Sequence, residues 1–576
     1  MSIGVVKDVG LLAVKGNNFF ELHIKQMSGI AGIVGDVVDL EHCLVAMQRC
    51  QKHRGDGEDG YWISSFVDGQ LGLSCCSRTV SEVEEFVRQP YVDEDTRLVV
   101  MADCDISNYR ELRVQLQAKY QFSTESSIEV ISKAYCMWGE AFLHRLKGSF
   151  VIVIYDKSND VLLIARDRFG EKPLYYTTHR GVLYFASEIR PIFSSGVISA
   201  VSAERWAGYL LYSTYGPDYA TFWEGIYQLP AGTLMRCNGY SLIENRWYDL
   251  HDEIMNSVES CDVKTVSEIF FQSLEERAER SLSDVSSCGL RVAARVESRL
   301  LHSIINRGQH HWKVHAFTSE IESVGRQPIA TPVWLTESEI VSELEKMPHW
   351  IEEPFDGRET FARIAILRRV HRDGISVLSS GLGLDVLWQE LWDVGGLQYN
   401  YNRKHDIFSD YLTSMVAAPR HSHYFGGEMD ENRYCELCRE RMPHILRFMS
   451  RLSAEVDVSM RMPFLDSDLV VLAFVMPVVL RRNRSSIFRD CVASHHSCHV
   501  SGECGASTLP MWMQGTVKEW INDSISDLCR GVLRLWFDVA SMEHFRSKFN
   551  DGCQCDEQLL WKCVSLHQML NACRRF

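Results

Sequence analysis

A chain of 576 residues is too long for a single hydrophobic core, so at least two domains are expected. Its 46% hydrophobic and 24% charged residues describe an ordinary soluble protein, and a formal charge of −16 excludes the basic surface that a nucleic acid or an anionic membrane requires. No apolar run reaches the ~18 residues of a membrane span.

Residues 1–26 read as an N-terminal extension whose longest apolar piece, Val9–Val14, is too short for a secretory signal. Nineteen cysteines without an export signal read as reduced thiols, so the expected location is cytoplasmic. The Gly-rich run Met27-Ser28-Gly29-Ile30-Ala31-Gly32-Ile33-Val34-Gly35 reads as the first strand of a packed sheet. His53-Arg54-Gly55-Asp56-Gly57 and Leu71-Gly72-Leu73-Ser74-Cys75-Cys76-Ser77 follow. A strand at Leu98–Met101 then runs into Ala102-Asp103-Cys104-Asp105. Two β-rich runs, Ser149–Tyr155 and Val161–Ile164, flank the polar cluster 156–160 and predict a hairpin. Ala165-Arg166-Asp167-Arg168-Phe169-Gly170-Glu171-Lys172-Pro173-Leu174-Tyr175-Tyr176 leaves the second of these strands and turns at Gly170 and Pro173. Leu183-Tyr184-Phe185-Ala186-Ser187-Glu188-Ile189-Arg190 comes next, and Gly225–Thr233 and Trp247–Leu250 close this half.

In this order the strings resemble the glutamine amidotransferase domain of asparagine synthetases over residues 27–250. The resemblance implies an αββα sandwich of N-terminal-nucleophile (Ntn) type. In the family an N-terminal Cys attacks the amide of glutamine, with its own α-amine as base. Here that position is Ser28, and the residues before it leave it no free amine; translation from Met27, with that methionine removed, would expose it. The family's oxyanion-hole Asn is Asp103, where a carboxylate would repel the developing negative charge. The Arg that pairs with the glutamine carboxylate falls on Cys75, and the family's Ser-Asp is Ser126-Ser127. Four substrate-handling positions differ while the framework strings persist, so glutaminase activity is expected to be absent.

Polar residues 251–264 read as a linker, followed by a helical pattern at Val266, Ile269, Phe270 and Leu274. The remainder, 265–576, resembles the family's α/β parallel-sheet ATP-pyrophosphatase domain. There a Ser-Gly-Gly-Leu-Asp-Ser-Ser loop at a helix start cradles the pyrophosphate of ATP, and its Asp helps hold magnesium. Ser286-Ser287-Cys288-Gly289-Leu290-Arg291 lies on that loop in the reading taken here. Ser287, Gly289 and Leu290 fit, and Arg291 replaces the Asp. His315–Thr318 reads as the next parallel strand, and Glu352-Glu353-Pro354-Phe355-Asp356 matches a family string. Ser380-Gly381-Leu382-Gly383-Leu384-Asp385-Val386 matches a Ser-Gly-Glu-Gly-Ala-Asp-Glu string. Gly381 and Gly383 are candidate ATP contacts there, and Asp385 is a candidate magnesium ligand or an N-terminal helix charge; both glutamates are apolar. Arg461-Met462-Pro463-Phe464-Leu465-Asp466 matches Arg-x-Pro-Phe-Leu-Asp, whereas Ser485–Arg489 lacks the family's lysine. Cys491, His495, His496, Cys498, His499 and Cys504 are zinc-ligand types at spacings that fit no standard pairing.

Two functions follow from the resemblance. The first is a pseudoenzyme, a synthetase scaffold kept for binding or assembly, as a homodimer or beside a paralogue partner. The alternative is a glutamine-independent, AMP-forming amide ligase that takes ATP, magnesium, a carboxylate and an amine, as β-lactam synthetases and lasso-peptide cyclases do.

Overall fold

The computed structural model describes residues 27–55, 60–67, 69–78, 87–216, 219–239, 241–257, 263–282, 285–292, 296–307, 313–319, 330–355, 357–387, 406–416, 428–475, 515–530, 532–551 and 556–573. The cysteine–histidine group 491–504 and the stretch Ser485–Arg489 lie outside them.

The first half contains two six-stranded sheets. In spatial order, one runs Tyr227–Gln228, Tyr175–His179, Val182–Ala186, Met27–Gly35, Gly69–Arg78, Gly60–Phe66. The other runs Leu242–Arg246, Thr233–Cys237, Val161–Arg166, Gly148–Asp156, Leu98–Ile106, Tyr91–Asp93. All their pairings are antiparallel. Alternate residues of a strand face opposite sides. Ile30, Cys75, Met101, Val151, Ile164 and Phe185 therefore meet in a core between the sheets. Val100, Ala102, Cys104 and Ile152 face outward, under the helices Tyr109–Leu116 and Ser127–Trp138. Helix Leu40–Cys50 covers the outer face of the first sheet. This is the expected αββα sandwich. Gly32 is needed for it, because a Cβ there would lie 2.1 Å from the Phe185 ring.

The hairpin forms as read, with Asp156 accepting from the amides of Ser158 (2.8 Å) and Asn159 (3.2 Å) in its turn. The Arg-Asp-Arg string has a structural cause. Asp167 accepts from the amides of Phe169 (3.1 Å), Glu171 (3.0 Å) and Lys172 (3.1 Å), folding the turn around one carboxylate. Arg166 ties the same turn down through the carbonyls of Lys172 (2.7 Å), Gly170 (2.6 Å) and Leu229 (2.5 Å).

The stretch read as a linker opens with helix Leu250–Asn256, N-capped by Asp249, because Leu250 and Ile254 have an apolar core of the second half to enter. That half holds a five-stranded, all-parallel sheet, ordered Thr331–Pro332, Lys313–Thr318, Ser287–Arg291, Val377–Ser379, Ser459–Arg461. One correction follows directly. Ser287–Arg291 is the central strand, not a nucleotide-binding loop. Cys288 and Leu290 are fully buried, and a Cβ on Gly289 would lie 2.9 Å from Val370. Ser287, Gly289 and Leu290 are thereby committed to sheet pairing, and only Arg291 reaches the strand's C-terminal end.

The halves are joined by packing and charge. Helix Glu557–Cys573 sends Lys562 Nζ to the carbonyl of Leu210 (2.8 Å), Arg461 pairs with Asp105 (2.8 Å), and Lys147 pairs with Asp468 (2.8 Å). One apolar cluster takes Trp206 and Phe222 from the first half and Leu344 and Leu560 from the second.

Candidate functional site

Ser28 and Asp103 do come together. Strands Met27–Gly35 and Leu98–Ile106 belong to opposite sheets, and both residues are buried, at 2% and 1% exposure. The Ser28 amide donates to Asp103 Oδ1 at 3.3 Å. Lys172 Nζ lies 3.0 Å from the same oxygen, and Arg54 Nη1 lies 3.6 Å from Oδ2. Burial alone would lower the Lys172 pKa, but Asp103 outweighs it and holds the ammonium above its usual range. Where an acyl-transfer site needs donors, this one carries a carboxylate already held by two cations. Arg54 also donates to Glu188 (2.5 Å), which sits 2.9 Å from His53 Nε2. Burial pushes the Glu188 carboxyl up; His53 and Arg54 pull it down further, well below the usual carboxylate range. His53 is correspondingly raised, with Glu188 overcoming the effect of burial.

The other altered positions have taken structural work. Cys75 is fully buried in the core between the sheets, where it packs as a small apolar group. Ser127, which stands at the family's Asp, is 1% exposed, with its hydroxyl 3.8 Å from Cys104 Sγ.

In open parallel sheets, ligands bind beyond the carboxyl ends of the strands. Arg291 is there, its Nη2 3.0 Å from Glu359. A small pocket beside it is lined by Arg363, Ser380 and Leu382, among mostly aliphatic side chains. Gly381 and Gly383 follow strand Val377–Ser379; Gly383 has φ +101°, and a Cβ there would press on Leu465 at 2.8 Å. Asp385 lies on the short helix Leu384–Leu387. The guanidiniums suit a phosphate. Magnesium is less well served, since no cluster of three metal-donor side chains occurs among the described residues.

Between the halves lies a larger cavity that sequence reading did not identify. Glu353 meets Arg447 (2.8 Å), Arg451 (3.0 Å) and His444 (3.4 Å). Glu352 meets Arg451 (2.9 Å) and accepts from the amides of Ile189 (2.8 Å) and Arg190 (2.9 Å) across the domain boundary. Burial opposes the charge on Glu353, but Arg447 and Arg451 hold it well below the ordinary range. For Glu352, burial prevails and raises it. The Glu352-Glu353-Pro354 string was a sequence signal for this cluster; its arginine partners, more than ninety positions away, were not.

An antiparallel sandwich with its buried Ser28–Asp103 pair, joined to a parallel α/β sheet, defines a two-domain amidotransferase–synthetase architecture. Two family models match, a glutamine amidotransferase domain over residues 27–248 and an asparagine synthase domain over 327–571. The chain belongs to the asparagine synthetase family. It is 24% identical over 364 residues to "Amidase chry2" of Gibberella zeae, covering 58% of this chain and 53% of that one. It is 37% identical over 168 residues to glutamine-hydrolyzing asparagine synthetase 1 of Bacillus subtilis, covering 28% of this chain and 26% of that one. The chain thus spans about half the length of the first relative and about a quarter of the second. A glutamine phosphoribosylpyrophosphate amidotransferase from B. subtilis aligns at 14% identity and TM-score 0.28, over 61% of this chain and 81% of that one. No helix among the described residues is long and apolar enough to cross a membrane.

Proposed function

We propose that this protein is a synthetase-family scaffold that does not hydrolyse glutamine and acts by binding or assembly. The observation that carries the reading is Asp103, buried at the oxyanion position and held by Lys172 and Arg54. Losing one oxyanion donor costs about 2.7–4 kcal/mol of transition-state stabilisation, and a permanent anion in its place opposes the reaction further. Ser28, Cys75 and Ser127 stand at the other altered positions, so no single reversion restores the reaction.

A second reading, the glutamine-independent amide ligase, is favoured by the placement of the central strand. With Ser287–Arg291 in the sheet, the sequence from its end into helix Val296–Arg307 reads Val292-Ala293-Ala294-Arg295-Val296-Glu297-Ser298. In this register Glu297 takes the family's Asp position and Ser298 its first following hydroxyl. ATP, if bound, would supply an activated carboxylate; Arg291 and Arg363 would hold negative charge beside it.

Thermal unfolding with millimolar Mg-ATP separates the two. A ligand at 100 times its Kd stabilises the native state by about 2.7 kcal/mol, a readily measured shift. The scaffold reading expects no shift and no AMP or pyrophosphate with any carboxylate. A shift lost in Asp385→Ala or Glu297→Ala, with AMP formation, would replace it with the ligase.

A further inference from the structure

The cavity between the halves is lined by residues of both. Its inner lining carries Arg166, Arg447 and Arg451 with two carboxylates, Glu352 and Glu353. Arg166 is the informative one. It is 2% exposed, and its three hydrogen bonds all go to backbone carbonyls; the adjacent Asp167 acts on it through space while its own carboxylate accepts from the amides of the turn. Burial lowers its pKa to about 10, still leaving it charged at neutral pH. A guanidinium has five N–H groups, so two of its donors are unused by those bonds.

Gln228 is the second observation. It is 7% exposed and lines the cavity; its Oε1 accepts from Arg447 at 3.1 Å, and its Nε2 has no hydrogen-bond partner among the described residues. A buried amide donor left unpaired forfeits the hydrogen bond it would make in water. An excess of buried positive charge and an unpaired donor facing one space call for an acceptor that carries negative charge. Phe169, Phe222 and Ala231 supply apolar wall beside it, which suits an organic tail.

We infer that the interdomain cavity is a binding site for a small organic carboxylate, held by Arg166 and Arg447 and by the Nε2 of Gln228. The planar guanidinium matches the planar carboxylate better than it matches a compact, tetrahedral anion. The site spans both halves, so the ligand would also stiffen the domain boundary. It is separate from the ATP question, since none of its residues lies at the end of the parallel sheet.

The test is calorimetric titration of the full chain with propionate at pH 7, without nucleotide, beside propionamide and inorganic phosphate. Saturable one-to-one heat with propionate, at least tenfold weaker with both controls, is expected. Gln228→Glu keeps the acceptor for Arg447 and places a built-in carboxylate in the cavity, so it should weaken propionate at least twentyfold without lowering Tm. Should that variant fail to fold, Gln228→Met removes the donor and should weaken propionate at least fivefold. No saturable heat, equal affinity for propionamide, preference for phosphate, or unchanged binding in a folded Gln228 variant would each overturn the inference.

Discussion

Asp103→Asn removes a charge while preserving shape, and the structure gives the size of the effect. The carboxylate is 1% exposed, 3.0 Å from Lys172 Nζ and 3.6 Å from Arg54 Nη1. Breaking a buried pair by neutralising one partner costs about 3–5 kcal/mol, because the other charge is left in the interior. Arg54 keeps Glu188 at 2.5 Å, so Lys172 is the group that loses its carboxylate. The Lys172 side chain is 15% exposed and recovers some hydration, which places the loss near the lower bound, about 3 kcal/mol. For a domain of this size about 2–4 °C accompanies each kcal/mol, so Tm of the amidotransferase-like half should fall by roughly 6–12 °C. Circular dichroism melts of that transition measure it. Lys172→Met added to Asp103→Asn should recover most of the loss, since replacing both members of a buried pair by uncharged groups is close to neutral. If Asp103→Asn melts with the wild type, or the double variant melts no higher than the single, the ion pair does not hold this site together.

The same Asp103→Asn protein, alone or with Ser28→Cys, should release no glutamate from glutamine in a coupled assay, because Cys75 and Ser127 still lack the substrate-binding groups. The His53–Glu188 pair predicts a pH dependence. The His53 pKa is raised on folding, so its stabilisation is full below the unfolded value near 6.5 and is lost as pH rises through the folded value. Urea midpoints should fall between pH 6 and 9, and the fall should vanish in His53→Gln. The Glu188 pKa is lowered, so its stabilisation is full above its unfolded value near 4.5 and is lost as pH drops below that. Urea midpoints in wild type should therefore also fall on the acid side, and less steeply in Glu188→Gln. Glu352→Gln removes a carboxyl whose anion burial disfavours, leaves Arg451 its ion pair with Glu353 and keeps an acceptor for the Ile189 and Arg190 amides, so limited proteolysis at pH 7 should separate the two halves no earlier than in wild type.

What could be read in the sequence was local. The hairpin around 156–160 and the turn after Arg166 are set by residues a few positions apart, and the structure builds both. The central parallel strand was misplaced for a physical reason. A strand buried on both faces has no polar alternation, so Ser287-Cys288-Gly289-Leu290-Arg291 carries no period-two signal, and its small residues imitate a phosphate loop. Gly289 is small there because Val370 packs against its backbone. The cavity was unreadable because Gln228 and Arg447, or Glu352 and Arg451, meet only after both domains have folded against each other.

Asp103 stands where the surrounding charges favour a carboxylate. A site that stabilises an oxyanion is electropositive by design, and Lys172, Arg54 and the Ser28 amide supply that potential here. In an active site the potential is matched only briefly, in the transition state, and otherwise stands as a cost to stability. A fixed carboxylate at the same point matches it permanently. A carboxylate at this point is thus one that the surrounding charges favour, and it ties the two sheets together through the Ser28 amide and Lys172. The interdomain cavity shows the opposite condition, with positive charge still in excess and Gln228 Nε2 still unpaired. That contrast separates a site closed by its own sequence from one still open to a ligand from outside.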